Sequence, residues 1–412
     1  MDNYLSPAPP ASLPLPQAGA ERCDSEKASH CDAYRDFVRR TTRELLAAPD
    51  NVMGLLCGSA FRALRPELYE KVRQGRAEFG LPIEQVYDDL VAACARQRRT
   101  LSHRLYFWFV RGAKYLALLL RLAWFAWIVC PLTSRRMRGQ PVDIAIENLP
   151  PRCGNGPAAP PQASIVVLSF NRLPYLQTTV AALLETAGAP RYELIAVDNG
   201  SRDGSVEFLR DCRRRGIVSK LVLLPENRGI SAGYNCGFAA ADERSEYVMK
   251  LDSDIKILTP GWLAEAIAFL AASDDVGFVA LHQVNHPMLR LLPPLRRGGR
   301  ELMDFAGWTA GGAMIIPMRV RRELGCFIED PELRYAPDDI DYYVRASRKG
   351  YRAFFLRKML VYHQSHLDRS DYRDYSHAKP AGPSSQLAIR LAGEYDRGAR
   401  PLRVDYDKYR SS

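Results

Sequence analysis

No two cysteines in this 412-residue chain stand at a Cys-x-x-Cys spacing. The nine present (Cys23, Cys31, Cys57, Cys94, Cys130, Cys153, Cys212, Cys236 and Cys326) are odd in number and widely scattered, which argues against a disulfide framework or a cysteine-rich zinc site. The opening residues Met-Asp-Asn-Tyr-Leu-Ser-Pro-Ala-Pro-Pro lack the basic and apolar stretches of a secretory signal, so a reducing cytosolic location is expected. Compositional extremes are missing as well. Hydrophobic residues make up 47% and charged residues 25%, which excludes wholesale disorder and a multi-spanning membrane protein. Acidic excess is also absent: the formal net charge is +10, pointing to an anionic partner such as a phosphorylated substrate, a membrane face or nucleic acid. Nucleic acid is not expected, because no recognised reading module accompanies the charge.

What is present falls into segments of different texture. Residues 1–20 are rich in Pro and Ala without periodicity and read as a disordered lead-in. Over 21–100 apolar residues recur at helical spacing, as in Tyr34-Phe37-Val38 and Ile83-Val86-Leu90-Val91, and predict a small helical domain. Within 101–138, the segment Leu101–Leu132 is the most apolar of the chain, yet Arg104, Arg111, Lys114 and Arg121 fall within one arc of a helical wheel, opposite aromatic and aliphatic residues. With Arg135-Arg136-Met137-Arg138 following, it reads as an amphipathic, membrane-associating helix. An ordinary buried helix and a true span stay open as alternatives. Residues 139–162 are a Pro-, Gly- and Asn-rich linker. From 163 to 368 short β-rich runs alternate with helical ones, predicting an α/β domain with a mostly parallel sheet flanked by helices. Residues 369–412 form a C-terminal tail that mixes Tyr, Arg and Asp without strong periodicity.

Parallel sheets place ligands beyond the carboxyl ends of their strands, so the residues just after each strand matter most. Ser169-Phe170-Asn171-Arg172 follows the first strand, Asp198-Asn199-Gly200-Ser201 the second, and Asp252-Ser253-Asp254 closes the run Tyr247–Leu251. Each alone is ordinary turn and cap chemistry; together they converge on one sheet edge. Two carboxylates one residue apart can face a hard cation, and oxygen ligands favour Mg²⁺ or Mn²⁺ over zinc. Glycines at four-residue spacing in Gly229–Gly237 imply close approach by a nucleotide or by the sheet itself. Farther on, Asp338-Asp339-Ile340-Asp341 opens a helix with more acids than capping needs, so one of them could act as a general base. His363 and His366 follow the apolar run Met359–Tyr362, where an imidazole could complete a metal shell.

Taken in order, Ser-Phe-Asn-Arg, Val197-Asp198-Asn199-Gly200-Ser201, Asn227-Arg228-Gly229, Asp252-Ser253-Asp254, Gly311-Gly312-Ala313 and Asp338–Asp341, with His363, resemble family 2 glycosyltransferases over about half of the chain. The resemblance implies a Rossmann-like GT-A fold and inverting transfer of a hexosyl or deoxyhexosyl unit from a nucleoside-diphosphate sugar to an acceptor hydroxyl, assisted by Mn²⁺ or Mg²⁺. It assigns Asp339 as catalytic base, with Asp338 standing where the family usually has Glu. It places Ser169, Asn171, Asp198, Arg228 and Asp252 on the donor side, Asp198 at the nucleobase. It gives Asp254, Asp252 and His363 to the metal, and Gly311, Gly312, Trp308 and Asp341 to the acceptor side. With the amphipathic stretch, this predicts an enzyme on the cytoplasmic, inner face of the plasma membrane, acting on a lipid-linked or cell-envelope glycan. The competing expectation is a non-catalytic nucleotide-sugar or membrane-binding protein on a transferase fold.

Overall fold

In a computed structural model the chain is described over residues 25–47, 66–98, 112–124, 127–128, 160–286, 289, 292–305, 311–329, 338–364 and 384–409. Three N-terminal helices, α1 (Ser25–Ala47), α2 (Pro66–Phe79) and α3 (Ile83–Arg98), gather the predicted apolar stripes into a core of their own. Phe37, Leu68, Val72, Phe79, Val86, Tyr87 and Leu90 form it, meeting because residues three and four apart share a helix face. A fourth helix, α4 (Gly112–Trp124), lies inside the stretch expected to associate with membranes. Leu116, Leu120 and Trp124 on it, and Trp127 beyond it, are exposed. Arg104, Arg111 and Arg135–Arg138 of that stretch lie outside the described residues. Among those described, no helix is long and apolar enough to cross a membrane.

The remainder is built on one ten-stranded sheet. Its first half alternates as expected: β1 (Ala163–Ser169), α5 (Leu173–Thr186), β2 (Tyr192–Asp198), α6 (Ser205–Arg214), β3 (Lys220–Leu223), α7 (Ile230–Ala239) and β4 (Tyr247–Asp252). β3, β2, β1 and β4 lie side by side and parallel. Then come β5 (Ile255–Ile257), α8 (Trp262–Ala271), β6 (Val276–Gln283), β7 (Leu295–Arg297), β8 (Arg300–Asp304), β9 (Ala313–Pro317), α9 (Met318–Leu324), α10 (Asp338–Arg348) and β10 (Arg352–His363). Here the sheet is mixed. β9 enters antiparallel between β4 and β6, β10 is parallel to β6, and β8 and β5 run antiparallel to β10.

Side chains of a strand alternate between its faces, and β1 shows how the sheet is covered. Val166 and Leu168 pack toward α7, α9 and α10, whereas Ile165 and Val167 pack toward α5, α6 and α8. Burying each such side chain is worth roughly 1.5–3 kcal/mol. The spacing of glycines in α7 answers to this packing: a Cβ on Gly233 would come within 2.5 Å of Leu168, and one on Gly237 within 2.3 Å of Val166.

The C-terminal tail is not a separate appendage. Its helix α11 (Ser384–Asp396) sends Leu391, Ala392 and Tyr395 into the core under α10. Asp396 meets Arg348 in a fully buried pair at 2.8 Å, and Arg397 reaches Asp88 of α3 at 3.1 Å. Residues 407–409 dock on α7, with Tyr409 Oη 3.4 Å from the Ala232 carbonyl. The cysteines among the described residues are all free thiols.

Candidate active site

Ser169 and Asp198 end β1 and β2 at the same register position. Asp198 Oδ1 accepts the N–H groups of Gly200 and Ser201 at 3.0 and 2.8 Å, fixing the turn in which Gly200 takes a φ of 85°. Its Oδ2 and the Ser169 Oγ are buried with no hydrogen-bond partner among the described residues. An unmet buried polar group costs about 1–3 kcal/mol, and these two stand at paired register positions where the strands end.

The loop after β1 is strained. Asn171 and Arg172, at φ 55° and 66°, are the non-glycine residues with positive φ among those described. Asn171 earns this conformation by stitching loops together: its N–H donates to Ser201 Oγ at 2.8 Å and its Oδ1 accepts from the Arg202 N–H at 3.0 Å. Arg172 is thereby aimed across the edge, with Nη1 3.1 Å from Asp254 Oδ2. Arg228 is exposed, and its backbone N–H is held by Asn199 Oδ1 at 2.9 Å.

At the end of β4, Asp252 and Asp254 flank the tight turn into β5. Asp252 Oδ1 accepts from Tyr234 Oη at 2.5 Å, and Asp254 Oδ2 lies 3.8 Å from His363 Nδ1. Among the described residues no three His, Cys, Asp or Glu side chains are gathered tightly enough to enclose a metal ion. Asp254 and His363 offer one carboxylate and one imidazole at this edge, a mixed donor set of the kind that divalent transition ions accept. Asp252 stands two residues away on the same edge.

The first turn of α10 brings the acid pair to this edge. Gly311 and Gly312 lie between it and the triplet: a Cβ on Gly311 would come within 2.7 Å of Asp339, and one on Gly312 within 3.0 Å of Asp252 Oδ2. The Gly311 N–H donates to Asp339 Oδ2 at 3.0 Å, and the Asp252 N–H to the Gly312 carbonyl at 2.8 Å. Burial, then the neighbouring Asp338 charge, push the Asp339 carboxyl up to about 6, against the pull of Lys250 and the Gly311 N–H. Burial also raises Asp252, with Lys250 opposing.

Lys250, absent from the sequence expectations, ties the acids together. It is buried in β4, with Nζ 2.8 Å from Asp338 Oδ2 and 3.6 Å from Asp252 Oδ1. Burial alone would lower its pKa; the charges of Asp252, Asp338 and Asp339 outweigh that and hold it above the usual lysine range. A lone lysine within an otherwise apolar strand was the available signal. Asn199, which joins the loops through Asn227 and Gly229, was another residue missed.

Asp341 does not join the acids on the acceptor side. It is fully buried, with Oδ2 2.8 Å from Arg345 Nε and Oδ1 accepting from Tyr395 Oη at 2.6 Å. Contact with an acceptor would break a buried ion pair, so Asp341 anchors α10 to α11. Trp308 and His366 lie outside the described residues.

Residues 164–320 match the model of Glycosyl transferase family 2, from the second residue of β1 into α9. This segment belongs to that family. Within the family 2 domain fall the strand ends, the acidic triplet and the Gly-Gly wedge; Asp338, Asp339 and His363 lie beyond the matched residues. The chain is similar to Minor teichoic acid biosynthesis protein GgaA of Bacillus subtilis, 31% identical over 120 residues, 29% of this chain and 27% of that one. It is also similar to Succinoglycan biosynthesis protein ExoU of Rhizobium meliloti, 27% identical over 215 residues, 47% of this chain and 59% of that one. An uncharacterized protein of Sinorhizobium fredii is 24% identical over 232 residues, 51% of this chain and 25% of that one. The chain thus spans less than two thirds of the length of these curated relatives. Among solved structures it is similar to the mannosyltransferase PcManGT from Pyrobaculum calidifontis in complex with GDP-Man and Mn²⁺, at 18% identity and a TM-score of 0.42, covering 69% of this chain and 84% of that one.

Proposed function

We propose that the protein is an inverting GT-A glycosyltransferase that moves a hexosyl or deoxyhexosyl unit from a nucleoside-diphosphate sugar to an acceptor hydroxyl of a lipid-linked or cell-envelope glycan. One arrangement carries the reading: Asp252 and Asp339 are held against the two sides of Gly311-Gly312 at the sheet edge. The unpartnered Asp198 Oδ2 and Ser169 Oγ are suited to the polar edge of a nucleoside. In the reaction, the acceptor oxygen forms a bond to the anomeric carbon as that carbon's bond to the diphosphate oxygen breaks, inverting its configuration. Asp339 takes the hydroxyl proton, work that a carboxylate poised near 6 can do at neutral pH. Mn²⁺ or Mg²⁺ held by Asp254 and His363, beside Asp252, would supply positive charge to the departing diphosphate.

Relatives whose names concern teichoic acid and succinoglycan support an envelope acceptor. Exposed Leu116, Leu120, Trp124 and Trp127 support peripheral attachment to the inner face of the plasma membrane, where aromatic and aliphatic side chains enter the headgroup boundary. The test is nucleoside diphosphate release across a panel of nucleotide sugars and acceptors. Release should depend on Asp254 and Asp339, and unchanged turnover in both Asp254→Ala and Asp339→Asn would sink the proposal.

One observation favours a second reading, nucleotide-sugar binding without transfer: Arg172 already neutralises Asp254. Donor binding with no transfer or hydrolysis across that panel would favour it.

A further inference from the structure

A groove of about 860 Å³ runs between α1 and α3, away from the sheet edge. Tyr34 closes one end by donating to Asp89 Oδ2 at 2.9 Å. Seven to nine residues farther along each helix, roughly 11–13 Å by helical rise, the lining includes Thr42 and Arg43 of α1 and Arg96 of α3. Arg35 and Arg39 continue the lining at four-residue spacing, on the same helix face as Arg43. The lining therefore holds four guanidinia and one carboxylate, and that carboxylate is engaged by Tyr34. Asp32 and Asp36 pair with Arg35 and Arg39 from outside the groove, but these pairs are well exposed and weak.

The second observation is independent of charge. Thr42 is 4% exposed, and its Oγ1 is buried without a hydrogen-bond partner among the described residues. A threonine kept only for packing has no need of that hydroxyl, because valine has the same shape without the desolvation cost. The ligand chemistry must satisfy several guanidinium forks and accept from a hydroxyl. A phosphate group does so, with oxygens enough for two forks and the threonine at once.

We propose that the α1–α3 groove is a second anion site, separate from the transferase centre, that binds a phosphate or diphosphate group through Arg43, Arg96 and Thr42, with Arg35 and Arg39 extending it. The group comes either from a lipid headgroup or from a free phosphorylated molecule, and the experiment distinguishes them. Full-length protein is dialysed to equilibrium with radiolabelled inorganic pyrophosphate in EDTA, and separately sedimented with phosphatidylglycerol or phosphatidylcholine vesicles. Arg43→Gln/Arg96→Gln alters exposed side chains only, so folding is retained, which thermal unfolding checks. At least a tenfold loss of affinity is expected in one arm. Loss confined to pyrophosphate identifies a free phosphorylated ligand. Loss of phosphatidylglycerol binding, with pyrophosphate competing in the native protein, identifies a headgroup. Thr42→Val is expected to weaken the same arm about threefold or more while leaving stability equal or higher, a combination that a packing role does not produce. Affinities unchanged in both arms by the double variant would overturn the site.

Discussion

The Lys250 ammonium lies 2.8 Å from Asp338 Oδ2, joining the strand that ends in the acidic triplet to the helix that opens with the acid pair. Neither partner has more than a few per cent of its side chain in water. Removing one side of such a pair leaves an uncompensated charge, which costs about 3–5 kcal/mol. Lys250→Met is therefore expected to lose stability on that scale in urea unfolding. Because Lys250 holds the Asp339 carboxyl down, the acid limb of kcat/KM should also move to higher pH. Native stability with a native pH profile would show that the pair is incidental.

Asp339 predicts the pH dependence itself. As a base it must be ionised, so kcat/KM should fall as pH drops through about 6. Asp339→Asn should lose on the order of 100-fold or more and flatten that limb. Stability runs the other way. A carboxyl raised in the folded state contributes fully below its ordinary value of 3.8 and loses that contribution as pH rises through about 6. Unfolding and turnover measured over the same pH series should show opposite trends from this group.

Two glycines separate packing from chemistry. Gly237→Ala places a methyl against Val166 and Val197, and overpacking of this kind costs about 1–3 kcal/mol. Its signature is a lower Tm with near-normal turnover per folded molecule. Gly311→Ala instead pushes on Asp339, so at least a tenfold fall in kcat is expected with a smaller change in Tm. Equal effects of the two on both readouts would contradict this division.

Chelation and Arg172 test the metal assignment. EDTA should abolish donor turnover, and Mn²⁺ or Mg²⁺ should restore it. Arg172 competes for the Asp254 carboxylate, so Arg172→Ala should lower the Mn²⁺ concentration needed for half-maximal activity, while His363→Ala should raise it. Turnover that ignores EDTA would remove Asp254 and His363 from a metal role.

The parallel half of the sheet is legible in the sequence because short apolar runs, closed by Ser in β1 and by Asp in β2 and β4, alternate with segments of helical periodicity. The Asp338 helix is equally plain, with its acids at one end and Gly350, at φ 86°, at the other. Beyond β4 the signals fade. β6 is a continuous apolar run whose periodicity does not separate strand from helix, and β5 and β7 are three residues each. Composition hides the left-handed pair Asn171–Arg172, since neither is glycine and their conformation is imposed by contacts from the next loop. The pairing of Asp341 is legible as well, because Arg345 stands four residues on, at ion-pair spacing along the helix.

α10 is eleven residues long, about 16 Å, and both its ends are committed. Its first turn carries Asp338 and Asp339 and is clasped by Lys250 and Gly311, while Arg345 and Arg348 near its last turn are gripped by Tyr395 and Asp396 through Asp341 and directly. Just past α11, Arg397 meets Asp88 of the N-terminal bundle at 3.1 Å in an exposed pair of the weak kind. A shift of α11 would therefore be felt at the C-terminal half of α10, and the Lys250 and Gly311 contacts would carry any tilt of that helix to the edge where Asp339 stands.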